Sequence, residues 1–320
     1  MQNKRTVFLL ILLSLFAACQ RKGQKVIAVV PKGQAHIFWQ TVHAGAAAAA
    51  KDLGVQIQWN GPATEIEYTK QIEIVENFIT RRVDGIVLAP TERVALVGVI
   101  ERAQRAGIPV TIFDSGADTE NYISFVATDN YAGGQMAARR LGQLLSGKGK
   151  VAVIAVVPGS ASTSERERGF QETVEKEFPG IRIAALQYGM SDRARSLAVS
   201  EDILTAHPDL AGIFASNESS AVGAAQALKS RGLAGKIKLV GFDSSPSLVD
   251  DLKGGTIDSL VVQNPYRMGY EAVKTIVEHL QQKTPPRRID SGATLVTRDN
   301  MSAPEVQKLL NPPLAGGGAR

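Results

Sequence analysis

Residues 85–116 read GIVLAPTERVALVGVIERAQRAGIPVTIFDSG, and this stretch decides the fold class. Gly85–Pro90 and Pro109–Asp114 are short apolar runs, and Arg93–Ala106 between them carries its apolar residues at helical spacing. A continuous apolar run, unlike an alternating one, belongs to a parallel strand covered on both faces. A helix joining two such strands is the right-handed crossover from which doubly wound sheets are built.

The unit repeats in both directions. Upstream, the pattern predicts strands at Val26–Pro31 and Val55–Asn60 and helices at Phe38–Leu53 and Glu65–Val83. Downstream it predicts strands at Ile123–Thr128, Lys150–Val157, Ile181–Tyr188, Ala211–Ser216, Ile237–Phe242 and Ser259–Gln263. The intervening helices are Asn130–Leu145, 163–177, Asp192–Ala206, Ser219–Arg231, a short one at Pro246–Lys253, and Pro265–Gln282. These strands are too many for one ordinary sheet, and 320 residues exceed one small core. An α/β protein with two doubly wound parallel-sheet lobes is therefore expected. Residues 302–320 read as a tail, and Asn311–Arg320, rich in Pro, Gly and Ala and without periodicity, as disordered.

The N-terminus carries an address. Lys4 and Arg5 precede an almost wholly apolar run from Val7 to Phe16, and Ala17 and Ala18 lead into Cys19. That is the build of a secretory signal peptide over residues 1–18, too short to span a membrane comfortably. The end of the leader resembles a bacterial lipobox, with Phe16 where Leu is usual, and the resemblance implies that Cys19 is lipidated. Cys19 is the only cysteine, so no intramolecular disulfide or multi-cysteine metal site is possible. Residues 19–24 would then tether the protein to a membrane in the periplasm or cell envelope. The net charge of +5 is scattered in small groups such as Arg81-Arg82 and Arg287-Arg288, with no basic stripe for nucleic acid.

Ligands of open α/β sheets bind beyond the carboxyl ends of the strands. The residues expected there are Lys32, His36, Phe38 and Trp39 after the first strand, and Asp114 after the fourth. The second half contributes Arg166 after a strand-to-helix loop and Asn217, Asp243 and Gln263 at three strand ends. Carboxylates and amides pair with adjacent hydroxyls, Arg offers a fixed fork of donors, and an aromatic face suits the C–H face of a sugar ring. Each residue also has an alternative reading. Asp114 and Asp243 fit helix N-caps, Arg166 a solvated helix face in the charged run Glu165–Arg168, and Phe38 and Trp39 a core. No Walker loop, G-x-G-x-x-G after the first strand, HExxH spacing or G-x-S-x-G elbow is present. No enzyme activity, metal or cofactor is expected.

Seven ordered segments resemble one known family. They are VVPKGQAHIFW (29–39), GIPVTIFDSG (107–116), VATDNYAGG (126–134), RERGF (166–170), TAHPDLAGIFASNESSAVGAAQAL (205–228), LVGFDSSP (239–246) and VVQNPYRMG (261–269). The chain resembles the ribose-type (type I) periplasmic sugar-binding proteins of ABC importers, relatives of the ligand domains of lactose-repressor-type regulators.

The resemblance implies two lobes joined by three crossings near Thr128, Gln263 and Gly292. Lobe one would comprise 25–128 plus 264–292, and lobe two 129–263 plus 293–301. It places Phe38, Trp39 and Asp114 in the cleft from lobe one, Arg166, Asn217, Phe242 and Asp243 from lobe two, and Gln263 at the hinge. Lys32, His36 and Ser115 replace a small hydroxyl residue, Asn and Arg of the ribose binders, so a sugar or polyol other than ribose is implied. The implied partners are the ligand and an importer's permease subunits, reached as a monomer. The alternative is a receptor for a furanosyl autoinducer, or for a sugar signal passed to a sensor kinase. A regulator's effector domain would need a helix-turn-helix where this chain has its leader.

Overall fold

The structure is a computed structural model that describes residues 23–314. The leader and Cys19 lie outside the described residues.

Two six-stranded sheets organise the molecule. The first contains β1 (Val26–Val30), β2 (Gln56–Trp59), β3 (Gly85–Leu88), β4 (Val110–Phe113), β5 (Phe125–Ala127) and β11 (Arg288–Asp290), in the order β11-β5-β4-β3-β1-β2. All its pairings are parallel. The second contains β6 (Lys148–Ala155), β7 (Gly180–Tyr188), β8 (Leu210–Ala215), β9 (Lys238–Phe242), β10 (Ser259–Gln263) and β12 (Ala293–Val296), in the order β12-β10-β9-β8-β6-β7. Only its β10–β12 pair is antiparallel. The two orders match strand for strand.

Both faces of each sheet are covered, which is why the central strands are apolar throughout. In the first sheet Ile27 and Val29 face α1 (Ile37–Leu53) and α9 (Pro265–Leu280), and Ala28 and Val30 face α2 (Tyr68–Thr80) and α3 (Val97–Arg105). In the second, Val151 and Val153 pack under α4 (Asn130–Leu144) and α5 (Ala161–Glu177). Ala152 and Ile154 face α6 (Arg193–Ala206), α7 (Glu218–Ser230) and α8 (Pro246–Gly254). This strict alternation of partners along each strand is the period-2 geometry of a pleated sheet.

Each lobe holds one pair of helices crossing at reciprocal glycines. A Cβ on Gly45 of α1 would sit 1.9 Å from the Tyr266 carbonyl oxygen, and one on Gly269 of α9 2.1 Å from that of Val42. In the other lobe, Gly134 of α4 lies against the Arg166 carbonyl oxygen at 2.0 Å and Gly169 of α5 against that of Tyr131 at 2.2 Å, measured the same way. The backbones can approach this closely only without side chains.

The chain passes between the sheets three times. It leaves β5 through Thr128 into α4, leaves β10 after Gln263 into α9, and leaves β11 through Ser291 and Gly292 into β12. Thr128 Oγ1 lies 3.2 Å from Ser291 Oγ and donates to the Gly292 carbonyl at 3.3 Å, tying two passages together.

Part of the expected tail is structured. Residues Pro304–Leu310 form a helix, α10, with Val306 and Leu310 buried against the second sheet's core. Its two turns are short, and Pro304 at its start and Pro312-Pro313 just beyond it read as breaks in the sequence. The short edge strands β11 and β12 leave no mark in the sequence, because three or four residues carry too little pattern.

Candidate functional site

The carboxyl ends of both sheets meet across one cleft, which encloses a cavity of about 340 Å³, solvent at its mouth included. Of the eleven residues singled out in the sequence, nine line it: Lys32, His36, Phe38, Trp39, Asp114, Arg166, Asn217, Asp243 and Gln263. Ser115 and Phe242 are fully buried behind them. Ser115 Oγ accepts from the Ser162 N–H at 3.1 Å, and the Phe242 ring lies 3.9 Å beneath the Arg166 guanidinium.

Asp114 and Asp243 occupy the same station in the two lobes. Each follows the third strand from the β11 or β12 edge of its sheet, β4 and β9, and each adopts a positive φ, 58° and 69°. Asp tolerates this left-handed conformation better than most residues. Neither is the N-cap residue of the helix that follows it. Asp243 accepts from the Glu218 N–H at 3.2 Å and from Gln263 Nε2 at 2.7 Å, while Ser245 stands at the N-cap of α8. Asp114 Oδ2 lies 3.4 Å from Lys32 Nζ. Burial raises the pKa of both carboxyls, against the opposing pull of Lys32 and Arg166 on Asp114 and of Arg166 and Gln263 on Asp243.

Arg166 turns inward from α5, 3% exposed, whereas its neighbour Arg168 pairs with Glu165 and Glu172 on the surface. Its Nε donates to Asn130 Oδ1 at 2.8 Å and its Nη1 to the Ser216 carbonyl at 3.0 Å, so its plane is held over Phe242. Asn217 serves two ends. It lines the cavity, and its Oδ1 caps α7 by accepting from the Ser220 N–H at 2.9 Å. Trp39 likewise is both wall and core, packed edge-on against Phe38 and Phe113.

Lys32 crosses the cleft. Its ammonium donates to Ser160 Oγ at 3.0 Å and Ser162 Oγ at 3.2 Å at the start of α5, in addition to its contact with Asp114. Nearby, the Arg93 N–H donates to the Gly159 carbonyl at 3.0 Å, again from one lobe to the other.

Sequence reasoning missed Glu65, Ser162, Thr163 and Glu218, all on the cavity wall. The helical pattern runs back to Glu65, but α2 starts at Tyr68 and leaves Glu65 in the loop before it. There it accepts from Trp39 Nε1 at 2.8 Å and lies 3.3 Å from His36 Nδ1. Burial would raise its pKa; the hydrogen bond from His36, the charge of Lys32 and the Trp39 N–H outweigh that and bring it to about 2. Glu218 directly follows Asn217 and pairs with Arg193. Among the described residues, Asp114 Oδ2 and Gln263 Oε1 are buried acceptors on this wall without a hydrogen-bond donor.

Two matched lobes with a polar cavity between their strand ends define a binding protein that encloses its ligand. The chain belongs to the periplasmic binding protein domain family, whose pattern matches residues 27–284. It is 31% identical over 272 residues to the D-ribose/D-allose-binding protein of Pseudomonas aeruginosa, covering 82% of this chain and 85% of that one. Among solved structures it is similar to a carbohydrate transporter solute-binding protein from Agrobacterium radiobacter in complex with D-arabinose. That match has a TM-score of 0.88 and 37% identity over 91% of this chain and 100% of the other. An ABC transporter solute-binding protein from Agrobacterium vitis with bound D-fucose matches with a TM-score of 0.87 and 37% identity, over 89% and 100% of the two chains. The family is one of solute-binding proteins of transport systems and not of enzymes.

Proposed function

We propose that this protein captures a neutral monosaccharide or sugar-like polyol in the interlobe cleft and delivers it to an ABC importer. The observation that carries this reading is the pair of equivalent buried aspartates, Asp114 and Asp243, sharing one interlobe cavity with the Arg166 fork. The wall's carboxylates Glu65, Asp114, Glu218 and Asp243 are offset by Lys32, Arg166, His36 and the adjacent Arg193. A ligand therefore needs no net charge. It needs hydroxyls, which donate to buried carboxylates and accept from Arg166. Hydrogen bonds to charged groups contribute about 1.5–3 kcal/mol each, so a few are enough for micromolar binding at about −8 kcal/mol.

The ligands carried by relatives, D-ribose, D-allose, D-arabinose and D-fucose, set the candidate range. In this reading residues 25–128 with 264–292 and residues 129–263 with 293–301 rotate against each other about the three passages. Among the described residues no helix is long and apolar enough to cross a membrane. Export by residues 1–18 and lipidation of Cys19 would hold a monomeric binding protein at the cell envelope, within reach of the permease. A thermal-shift and calorimetric screen of aldoses, ketoses and polyols tests the proposal. A sugar binding at micromolar Kd supports it, and a panel with no binder overturns it.

A further inference from the structure

A second cavity adjoins the first. It has a volume of about 730 Å³, solvent included, against about 340 Å³ for the polar one. The two share three wall residues, Phe38, Asp243 and Gln263. Beyond these the second wall changes character. Ile37, Val262, Pro265, Leu309, Leu310 and Leu314 dominate it, and none of its other residues is charged.

The wall is drawn from both lobes. Ile37 and Phe38 begin α1 and Pro265 begins α9, whereas Val262 lies in β10 and Leu309 and Leu310 end α10. The space is therefore bounded only when the lobes are together, as the polar cavity is. Asp243 and Gln263 border both spaces, and Gln263 Oε1 is buried without a donor.

Resting on the sugar-binding reading, we propose that this apolar cavity receives a non-polar substituent carried by the bound sugar, so that the ligand class includes alkyl and aryl glycosides. The sugar ring occupies the polar cavity, whose wall carries Asp114, Arg166, Asn217 and Asp243. The substituent passes beside Phe38 into the apolar one. Burial of an aromatic or alkyl group there is favourable, because Ile37, Val262, Pro265, Leu309, Leu310 and Leu314 make most of the lining apolar, while Thr41, Ser244, Ser245 and Asn311 leave it some polar atoms. A free sugar leaves this space to solvent.

Isothermal titration of the full-length protein tests this, comparing D-ribose, D-allose, D-arabinose and D-fucose with their phenyl α- and β-glycosides. We expect at least one phenyl glycoside to bind as tightly as its parent sugar or more tightly. Leu309→Trp and Ser244→Trp, which fill the apolar cavity from two sides, should weaken that glycoside at least tenfold and leave the free sugar within twofold. Using two variants guards against one failing to fold. Free sugars that bind while every phenyl glycoside fails overturn this inference and leave the sugar-binding reading intact. Unchanged glycoside affinity in a folded, filled variant overturns it too. Failure of all sugars, free and glycosidic, overturns both.

Discussion

Asp114 and Asp243 are each anchored to the next strand of their own sheet in the same way. The Asp114 N–H donates to the Val126 carbonyl at 2.9 Å and the Asp243 N–H to the Val261 carbonyl at 2.8 Å. The two lobes thus present matching carboxylates, both with pKa raised by burial. Asp114→Ala and Asp243→Ala should each weaken sugar binding by about 1.5–3 kcal/mol or more, roughly tenfold to a hundredfold, measured by titration calorimetry. The pH dependence follows from the sign of the shift. A raised carboxyl takes up its proton earlier on acidification and then no longer accepts two hydroxyl donors. Affinity should fall at a higher pH than an unperturbed aspartate would dictate, and wild-type affinity in either variant would refute the assignment.

Lys32 ties the lobes together and compensates Asp114. Both side chains are almost fully buried, at 3% and 4% exposure. Removing one partner of such a pair leaves an uncompensated charge, at about 3–5 kcal/mol. Lys32→Met should lower the urea midpoint accordingly and loosen the closed arrangement, read as a wider distance between fluorophores placed on the two lobes. The double variant Lys32→Met/Asp114→Asn should recover much of the lost stability. Additive losses would mean that the two groups are not coupled.

His36 and Glu65 define a pH window. Burial alone would lower the His36 pKa, but the hydrogen bond and charge of Glu65 win and raise it above 6.5. Its stabilising contribution is complete below about 6.5 and fades as pH rises through the raised value. Glu65, held at about 2, contributes fully above its ordinary 4.5 and loses that contribution as pH falls toward about 2. The melting-temperature gap between wild type and Glu65→Gln should therefore peak near pH ~5–6 and narrow in both directions. A gap that is flat from pH 4 to 9 would rule the pair out.

The glycine crossings should tolerate no side chain. Gly45→Ala and Gly134→Ala each place a methyl against a backbone carbonyl that belongs to the partner helix. Overpacking of this kind costs about 1–3 kcal/mol, visible in chemical denaturation. Gly54→Ala, by comparison, meets no neighbour and suffers only from its positive φ.

Cys19 carries the anchoring prediction. Cys19→Ser in the full-length protein should move it from the membrane fraction to the soluble envelope fraction, with loss of the acyl mass on intact-protein mass spectrometry. Equal partitioning of variant and wild type would eliminate lipidation.

Much of this fold is legible because buried parallel strands leave an unmistakable run of apolar residues. Val26–Val30, Val110–Phe113 and Ser259–Gln263 fall where that pattern puts them. Lys32, Asp114, Asn217, Asp243 and Gln263 stand out for a related reason: a polar side chain at or just after the end of such a run is placed at the strand-end cleft, whereas His36, Phe38, Trp39 and Arg166 lie at or within helices and carry no such mark. Glu65 was not legible, because its apolar neighbours match the helical period of α2 and conceal that the helix begins three residues later. Glu218 was hidden behind Asn217, whose capping role accounts for the local sequence by itself. The left-handed backbone at Asp114 and Asp243 leaves no mark in composition at all.

The interleaving of the two lobes also dictates an order of assembly. The first sheet lacks α9 and β11 until residue 290 has been delivered, and the second lacks β12 until residue 296. A chain threaded N-terminus first therefore completes neither core until nearly its whole length has emerged. Long delay before collapse is a liability at a crowded ribosome. With export by residues 1–18, as proposed above, the same delay keeps the chain competent for passage through a translocation pore.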